Sequence, residues 1–101
     1  MTYDDELLLI KHEIQYDPIG NPIPVEVKRA VLCNVSSVGR NEFYSAAVKG
    51  MKPEMVFVVN IYDYEKETQV EYEGQKYRVI RDYKINSEEI ELTCEKVIGN
   101  D

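Results

Sequence analysis

The sequence has few nucleophilic thiols and imidazoles, with two cysteines and a single histidine, and it has no tryptophan. Cys33 and Cys94 are far apart and form no Cys-x-x-Cys pair, which disfavours a zinc knuckle or a thioredoxin-like site. We expect two buried, reduced thiols. GxSxG, HExxH, P-loop and GxGxxG patterns are missing too, and His12 alone offers little for acid–base chemistry. These absences predict a protein that is not an enzyme and that uses no cofactor or metal.

Paired carboxylates are the only pattern that could support catalysis. Glu71 with Glu73, and Glu89 with Glu91, share a strand face at i, i+2 spacing, so each pair could in principle act as an acid and a base. In an alternating strand, such pairs more commonly form a solvated outer face. We therefore interpret them as surface residues.

Basic residues and long apolar runs are also scarce. Lysines and arginines number 12 against 19 aspartates and glutamates, and the net charge is −7. Sequence-specific nucleic-acid binding requires a basic surface, whereas an acidic wall lets DNA slide past without adhering. No apolar run approaches the roughly 18 residues of a membrane span, and an acidic segment follows Met1 where a signal peptide would be basic and apolar. We expect a soluble protein made in a cytoplasm, without membrane contact.

The remaining composition predicts one β-rich domain over residues 1–101. Apolar residues make up 44% of the chain and charged residues 31%, and there are eight tyrosines. Tyrosine-rich, tryptophan-free composition favours β structure in a globular domain. A chain of this length buries roughly two thirds of its unfolded surface, enough for a modest core.

Alternating apolar and polar residues predict a first hairpin. In the strand Leu7 to Tyr16, the even positions are apolar apart from His12, so we expect them to face inward. In Val25 to Val35 the odd positions are apolar except Arg29, which lies at a barrel mouth or interface, or extends to solvent. Between these strands, Asp17 to Pro24 holds three prolines and a glycine, which predicts a loop without a regular ladder.

One helix interrupts the β pattern, between the second and third strands. Asn41 or Ser37 can act as its N-cap, and Gly50 followed by Pro53 ends it. Phe43 and the two alanines after it recur at helical spacing. We expect Phe43 to seat this short helix over an open end of the sheet or barrel.

Three further strands follow, and the first of them is apolar on both faces. Met55 to Tyr64 is therefore predicted to be central in a small barrel or covered by another subunit. A hairpin turning at Glu73-Gly74 with type I′ geometry comes next. Its register pairs Val70 with Tyr77 and Glu71 with Lys76. The closing strand, Glu88 to Ile98, presents inward residues at Ile90, Leu92, Cys94 and Ile98.

This element order predicts a mainly β fold: a small antiparallel β-barrel, closed or half-closed, of about six strands with one short helix between strands 2 and 3. Closure protects the sheet edges of so small a chain.

Several motifs occur in a fixed order across nearly the whole chain. An Asp-x-x-Gly-x-Pro turn, at Asp17, Gly20 and Pro22, follows the first strand. The second strand ends in V-x-S-V-G-R-N-E-F-Y-x-A, from Val35 to Ala46. A V-x-Y-x-G-x-x-Y-x-V hairpin and an acidic-hydrophobic closing strand come later, with matching residues Val70, Tyr72, Gly74, Tyr77, Val79, Leu92 and Cys94. The ordered set resembles the head closure (head–tail joining) proteins of long-tailed bacteriophages and prophages. The chain departs from that pattern after the central strand, where members often carry a basic residue and this sequence has Asn60-Ile61-Tyr62-Asp63.

The resemblance implies a structural virion protein of the head–tail connector. Such a protein forms a homo-oligomeric ring below the portal and adaptor, closes the DNA-filled head and presents the surface to which the tail binds. Its partners would be the portal, adaptor and tail proteins of the same phage, with DNA passing through the ring. It would reside in the bacterial cytoplasm during assembly and afterwards in the virion neck.

Two loops, Asp17 to Pro24 and Gly39 to Pro53, are the candidate interface or channel elements by their position. The candidate residues within them are Asp17, Gly20, Asn21, Arg40, Glu42, Tyr44, Lys49 and Lys52. Because like-charged copies repel, we expect the free protein to be monomeric. The alternatives are another small neck or tail assembly protein of a phage, or a cytoplasmic small-barrel binding module.

Overall fold

Six antiparallel strands form a closed barrel in the computed structural model, which describes residues 3–37 and 53–98. The strands lie in the order β1-β2-β3-β6-β5-β4 around the barrel. Their bounds are Asp5–Tyr16 (β1), Pro22–Ser37 (β2), Pro53–Asn60 (β3), Gln69–Tyr72 (β4), Gln75–Lys84 (β5) and Glu89–Lys96 (β6). The predicted six-stranded barrel is confirmed. The predicted helix lies outside the described residues.

The barrel interior is filled by alternate side chains of the strands. Phe57 is fully buried among them, and its ring lies 5.3 Å from that of Tyr72 and 5.7 Å from that of Tyr77, measured between centroids. Tilted aromatic pairs of this kind stabilise a core beyond the area they bury. The core comprises Leu7, Leu9, Val31, Cys33, Phe57, Val59, Val70, Tyr77, Ile90, Leu92 and Cys94.

The inward face of β1 is the opposite of the predicted one. Leu7 and Leu9 lie in the core, whereas Ile14 and Tyr16 are exposed. Because Leu7, Leu8 and Leu9 are all apolar, they do not show which face of β1 is inward. The prediction therefore depended on the even positions further along, Ile14 and Tyr16. Those positions lie past Ile10, the last residue of β1 that pairs with β4. Apolar residues that alternate beyond Ile10 therefore need not face the barrel interior.

Pro22 and Pro24 were predicted to lie in a loop without a regular ladder, but both pair with β1. β2 begins at Pro22, so the connecting loop is only residues 17–21. The Asp17 amide donates to the Asn21 carbonyl oxygen at 3.0 Å, which makes this a hydrogen-bonded pair. Hydrogen-bonded and non-hydrogen-bonded pairs alternate in an antiparallel ladder. Pro22 and Pro24 therefore take non-hydrogen-bonded positions, where β1 needs no N–H from them.

β3 is shorter than predicted and is buried on both faces. It ends at Asn60, whose side-chain oxygen accepts a hydrogen bond from the Tyr62 amide at 2.9 Å and begins a turn. Phe57 faces the core, while Val56 and Val58 on the opposite face are 3% and 4% exposed. β3 pairs with β2 on one side and β6 on the other, and both of its faces are buried within a single chain.

The β4–β5 hairpin has the predicted register. Val70 pairs with Tyr77 and Glu71 pairs with Lys76. Both loop residues have positive φ angles, 50° at Glu73 and 80° at Gly74, as a type I′ turn requires.

The closing strand ends earlier than expected. β6 stops at Lys96, the residue that pairs with Tyr77 of β5. Ile98 is 81% exposed, so its predicted inward position is wrong. The alternating apolar residues of the sequence thus continue to Ile98, beyond the last pair between β6 and β5, just as those of β1 continue beyond its last pair with β4.

Candidate interaction surface

β1 and β2 continue beyond the barrel as a two-stranded arm, which we define as residues 11–27. β1 pairs with β4 only through Ile10, whereas its ladder with β2 runs on to the pair formed by Tyr16 and Pro22. Residues 11–16 are all exposed. The molecule is accordingly elongated, with extents of 51 × 30 × 23 Å.

The arm ends in a tight turn built around Asp17. The Gly20 amide donates to the Asp17 carbonyl oxygen at 2.9 Å, and the Asp17 carboxylate accepts hydrogen bonds from the amides of Ile19 at 3.0 Å and Asn21 at 2.8 Å. Gly20 has a φ of +90°, which side chains rarely tolerate. These bonds, foremost that from the Asn21 backbone, lower the pKa of Asp17. The candidate residues Asp17, Gly20 and Asn21 therefore meet at the tip, where they shape the turn.

The arm exposes apolar side chains on both of its faces. Ile14 and Tyr16 are 64% and 71% exposed, and the cross-strand partners on their face are the two prolines of β2. Ile23 and Val27 are partly exposed on the opposite face, and Ile19 projects at the tip. Sequence reasoning missed this surface because it assigned the even positions of β1 to the core. The difference in strand length could have revealed it: β1 has 12 residues and its neighbour β4 has four, so β4 cannot cover the whole of β1.

Polar contacts fasten the base of the arm to the outside of the β4–β5 hairpin. They are hydrogen bonds or ion pairs between Lys28 and Glu71 at 3.1 Å, Lys76 and Glu26 at 2.9 Å, and His12 and Gln69 at 3.1 Å. The bond from Lys76 lowers the pKa of Glu26. Ile10, on the same face of β1, is fully buried. The base of the arm is thus fixed to the barrel, and the distal part projects.

A buried acidic residue and an arginine close the barrel end from which the arm leaves. The Arg29 guanidinium donates to the Glu67 carboxylate at 3.0 Å and also to the backbone oxygen of Asp63. The Glu65 amide donates to the same carboxylate at 2.7 Å. Arg29 thus lies at the barrel mouth, one of its two predicted positions. Sequence reasoning missed Glu67, since it sits in an EKET segment that is typical of a solvated loop.

An open pocket of about 410 Å³ lies between this segment and β5. Its wall includes the Tyr64 hydroxyl, which donates to the Glu67 backbone oxygen at 3.2 Å, and the Asp82 carboxylate, which pairs with Lys66 at 3.1 Å. Burial raises the pKa of Tyr64. Because Lys66 and Asp82 form an ion pair, neither presents an uncompensated charge at the pocket wall.

The two cysteines are free and buried, as predicted. Burial raises the pKa of the Cys33 thiol to about 11 and that of Cys94 to about 12. A thiol becomes nucleophilic only as the thiolate, so both are held in their unreactive form near neutral pH.

One carboxylate of each pair considered for catalysis makes ordinary structural contacts. Glu71 is bound by Lys28, and Glu89 accepts hydrogen bonds from the Tyr3 hydroxyl at 2.7 Å and the Asn86 amide at 2.9 Å. These bonds, with that from Asn86 the larger influence, lower the pKa of Glu89. A general acid at neutral pH needs the opposite shift. Within residues 3–37 and 53–98, no group of three His, Cys, Asp or Glu side chains is arranged to hold a metal ion.

Five of the eight candidate interface residues lie in the segment 38–52, outside the described residues: Arg40, Glu42, Tyr44, Lys49 and Lys52. The other three are the residues at the tip of the arm. The described surface with the clearest capacity for contact is therefore the arm.

No protein-family model matches the chain, and no curated protein is significantly similar to it. Across the part of the chain that the structure describes, no helix has both the length and the apolar character to cross a membrane.

Proposed function

We propose that the protein is a structural, non-catalytic component of a phage head–tail connector. Copies of it form a ring below the portal and adaptor, close the DNA-filled head and bind the tail. The support comes from the ordered motifs along the chain and from one structural feature, the arm. A closed barrel satisfies its own strand edges, so a projecting arm with exposed apolar side chains on both faces is suited to contacting other proteins.

The charge of the chain suits a channel through which DNA passes. A net charge of −7 on 101 residues repels phosphates, so a ring of these subunits would not retain the DNA that crosses it. The same charge opposes association of free copies at low salt. We therefore propose that the protein is monomeric in solution and assembles on its platform, first in the bacterial cytoplasm and then as part of the virion.

Binding to DNA-filled, tailless heads tests this function. Added protein should bind such heads, reduce DNA loss and allow tails to attach. Tyr16→Ser should weaken binding, because Tyr16 is 71% exposed on the arm. Tyr83→Ser is the matched control, since Tyr83 is 60% exposed on β5, a strand that pairs with neither strand of the arm. Failure of the unmodified protein to bind heads or to retain DNA would exclude the proposed function.

Light scattering on the purified protein tests the assembly step separately. A monomer in dilute buffer is expected. A stable ring formed without the portal or adaptor would contradict assembly on a platform. A monomer that binds no phage component would instead favour a small-barrel binding module of the cytoplasm.

A further inference from the structure

One strand edge of the arm carries backbone groups that pair with no strand in residues 3–37 or 53–98. Since Asp17 and Asn21 form a hydrogen-bonded pair, the odd-numbered residues of β1 point their N–H and C=O groups toward β2. The even-numbered residues point theirs away. At Ile10 these outward groups meet β4, but none of the strands in the described ranges pairs with β1 at His12, Ile14 or Tyr16.

The opposite edge of the arm is protected. The outward positions of β2 in the arm are Pro22, Pro24 and Glu26. Proline has no N–H, and proline on an edge strand prevents another strand from pairing there. Glu26 is also held by Lys76. The arm therefore blocks one edge and leaves the edge of β1 open.

The side chains beside the open edge indicate what kind of segment it accepts. Ile14 and Tyr16 are exposed apolar residues on one face. Glu13 lies on the other face and makes no ion pair with any residue in 3–37 or 53–98. A strand pairing here would place its own side chains alternately next to the apolar pair and next to this carboxylate. Apolar residues suit the first face and a basic residue suits the second.

We infer that the β1 edge from His12 to Tyr16 binds an extended segment of a partner protein by strand addition. The bound segment alternates apolar residues, which contact Ile14 and Tyr16, with basic residues, one of which pairs with Glu13. Backbone hydrogen bonds supply affinity and the alternating side chains supply specificity. For the free protein, a second copy of this chain is disfavoured as the occupant, because two free chains of net charge −7 repel each other.

Two substitutions of Ile14 separate strand addition from simple apolar contact. Ile14→Pro removes the outward N–H but keeps an apolar side chain. Because Ile14 lies opposite Pro24, at a pair that is not hydrogen-bonded within the arm, the ladder to β2 should survive. Ile14→Thr keeps the N–H and a β-branched side chain but removes most of the apolar surface. Thermal unfolding of both variants checks that the barrel is intact.

The probe is a synthetic peptide of about ten alternating valine and lysine residues, a typical strand length, compared with the same peptide carrying glutamate in place of lysine. Fluorescence anisotropy should show binding of the lysine peptide alone. Ile14→Pro should weaken it by at least about tenfold, as expected for lost backbone bonds, and Ile14→Thr by less. Amide hydrogen exchange at His12, Ile14 and Tyr16 should slow when the peptide binds.

Reversing the charge of Glu13 tests the predicted specificity without introducing a proline that could affect folding. Glu13→Lys should weaken binding of the lysine peptide and create binding of the glutamate peptide. The inference is overturned if the two Ile14 variants bind alike, if exchange at the three amides is unchanged, or if the edge is occupied by a second copy in sedimentation. It concerns the class of segment bound and needs no phage heads, so its failure and that of the proposed function are separate results.

Discussion

The Glu67 carboxylate accepts a hydrogen bond from Arg29 at 3.0 Å while its own side chain is only 2% exposed. An acidic group this deeply buried is stable in its charged form only when it is paired and hydrogen-bonded. Arg29, from β2, and the Glu65 amide supply both requirements. The pair therefore joins the segment after β3 to the base of the arm.

Arg29→Met should destabilise the protein by about 2 kcal/mol, since it leaves a buried carboxylate without its cation. Fully buried pairs lose about 3–5 kcal/mol when one partner is removed, and Arg29 is partly exposed. Chemical denaturation measures the difference. Lys66→Met is the control, because the Lys66 side chain is 75% exposed and its pair with Asp82 should contribute less than about 1 kcal/mol. Equal effects of the two substitutions would contradict the importance of burial at Glu67.

Phe57→Ala should destabilise the barrel by about 3–5 kcal/mol, because it leaves a cavity between β3 and the rings of Tyr72 and Tyr77. Phe57→Leu fills more of the space and should cost roughly half as much. Both effects appear in the midpoint of urea unfolding. A small loss for alanine would mean that the core collapses into the vacated space.

The turn at the tip of the arm should loosen in acid. Backbone hydrogen bonds, led by that from Asn21, lower the pKa of Asp17 in the folded arm. A group with a depressed folded pKa stabilises the fold above its unfolded pKa, and this contribution is lost as pH falls through the folded pKa. Amide chemical shifts of Ile19 and Asn21 followed below about pH 4, the usual range for aspartate, should report the change. In Asp17→Asn, whose oxygen still accepts hydrogen bonds but does not titrate there, the shifts should stay constant.

Both cysteines should resist alkylation in the native protein. Cys33 and Cys94 are buried, and their raised pKa values of about 11 and about 12 leave little thiolate near neutral pH. Iodoacetamide labelling with mass spectrometry should show slow, concurrent modification that becomes fast in denaturant. Rapid labelling of one cysteine under native conditions would reveal local opening of its strand.

Local patterns were sufficient where sequence neighbours make the contacts. The hairpin at Glu73-Gly74 was predicted in its correct register because a two-residue turn determines which residues face each other. The segment Asp17 to Pro24 was correctly predicted to reverse the chain, but its turn comprises only residues 17–21, because the ladder resumes at Pro22. The structural contacts of these residues are confined to the turn, whereas their role at an interface stays a prediction.

Long-range pairing was needed wherever strand length or position mattered. The even face of β1 is apolar, but β4 ends its pairing at Ile10, so the same alternation that marks a core strand continues along an exposed arm. The sequence alone does not show whether Arg29 lies at the barrel mouth or interface or extends to solvent, because its partner Glu67 is 38 residues away in the chain. Five of the eight predicted interface residues, Arg40 and Lys49 among them, lie outside the described residues.

Composition, alternation and residues that favour particular backbone angles were enough to predict a β-rich barrel of about six strands, two buried thiols and the hairpin at Glu73-Gly74. Pairing between distant strands sets where the barrel ends and the arm begins, and which face of β1 is inward. It also buries the Glu67 carboxylate against Arg29. The physical reason is that alternation tells which side chains share a face, whereas burial depends on which distant strand covers that face.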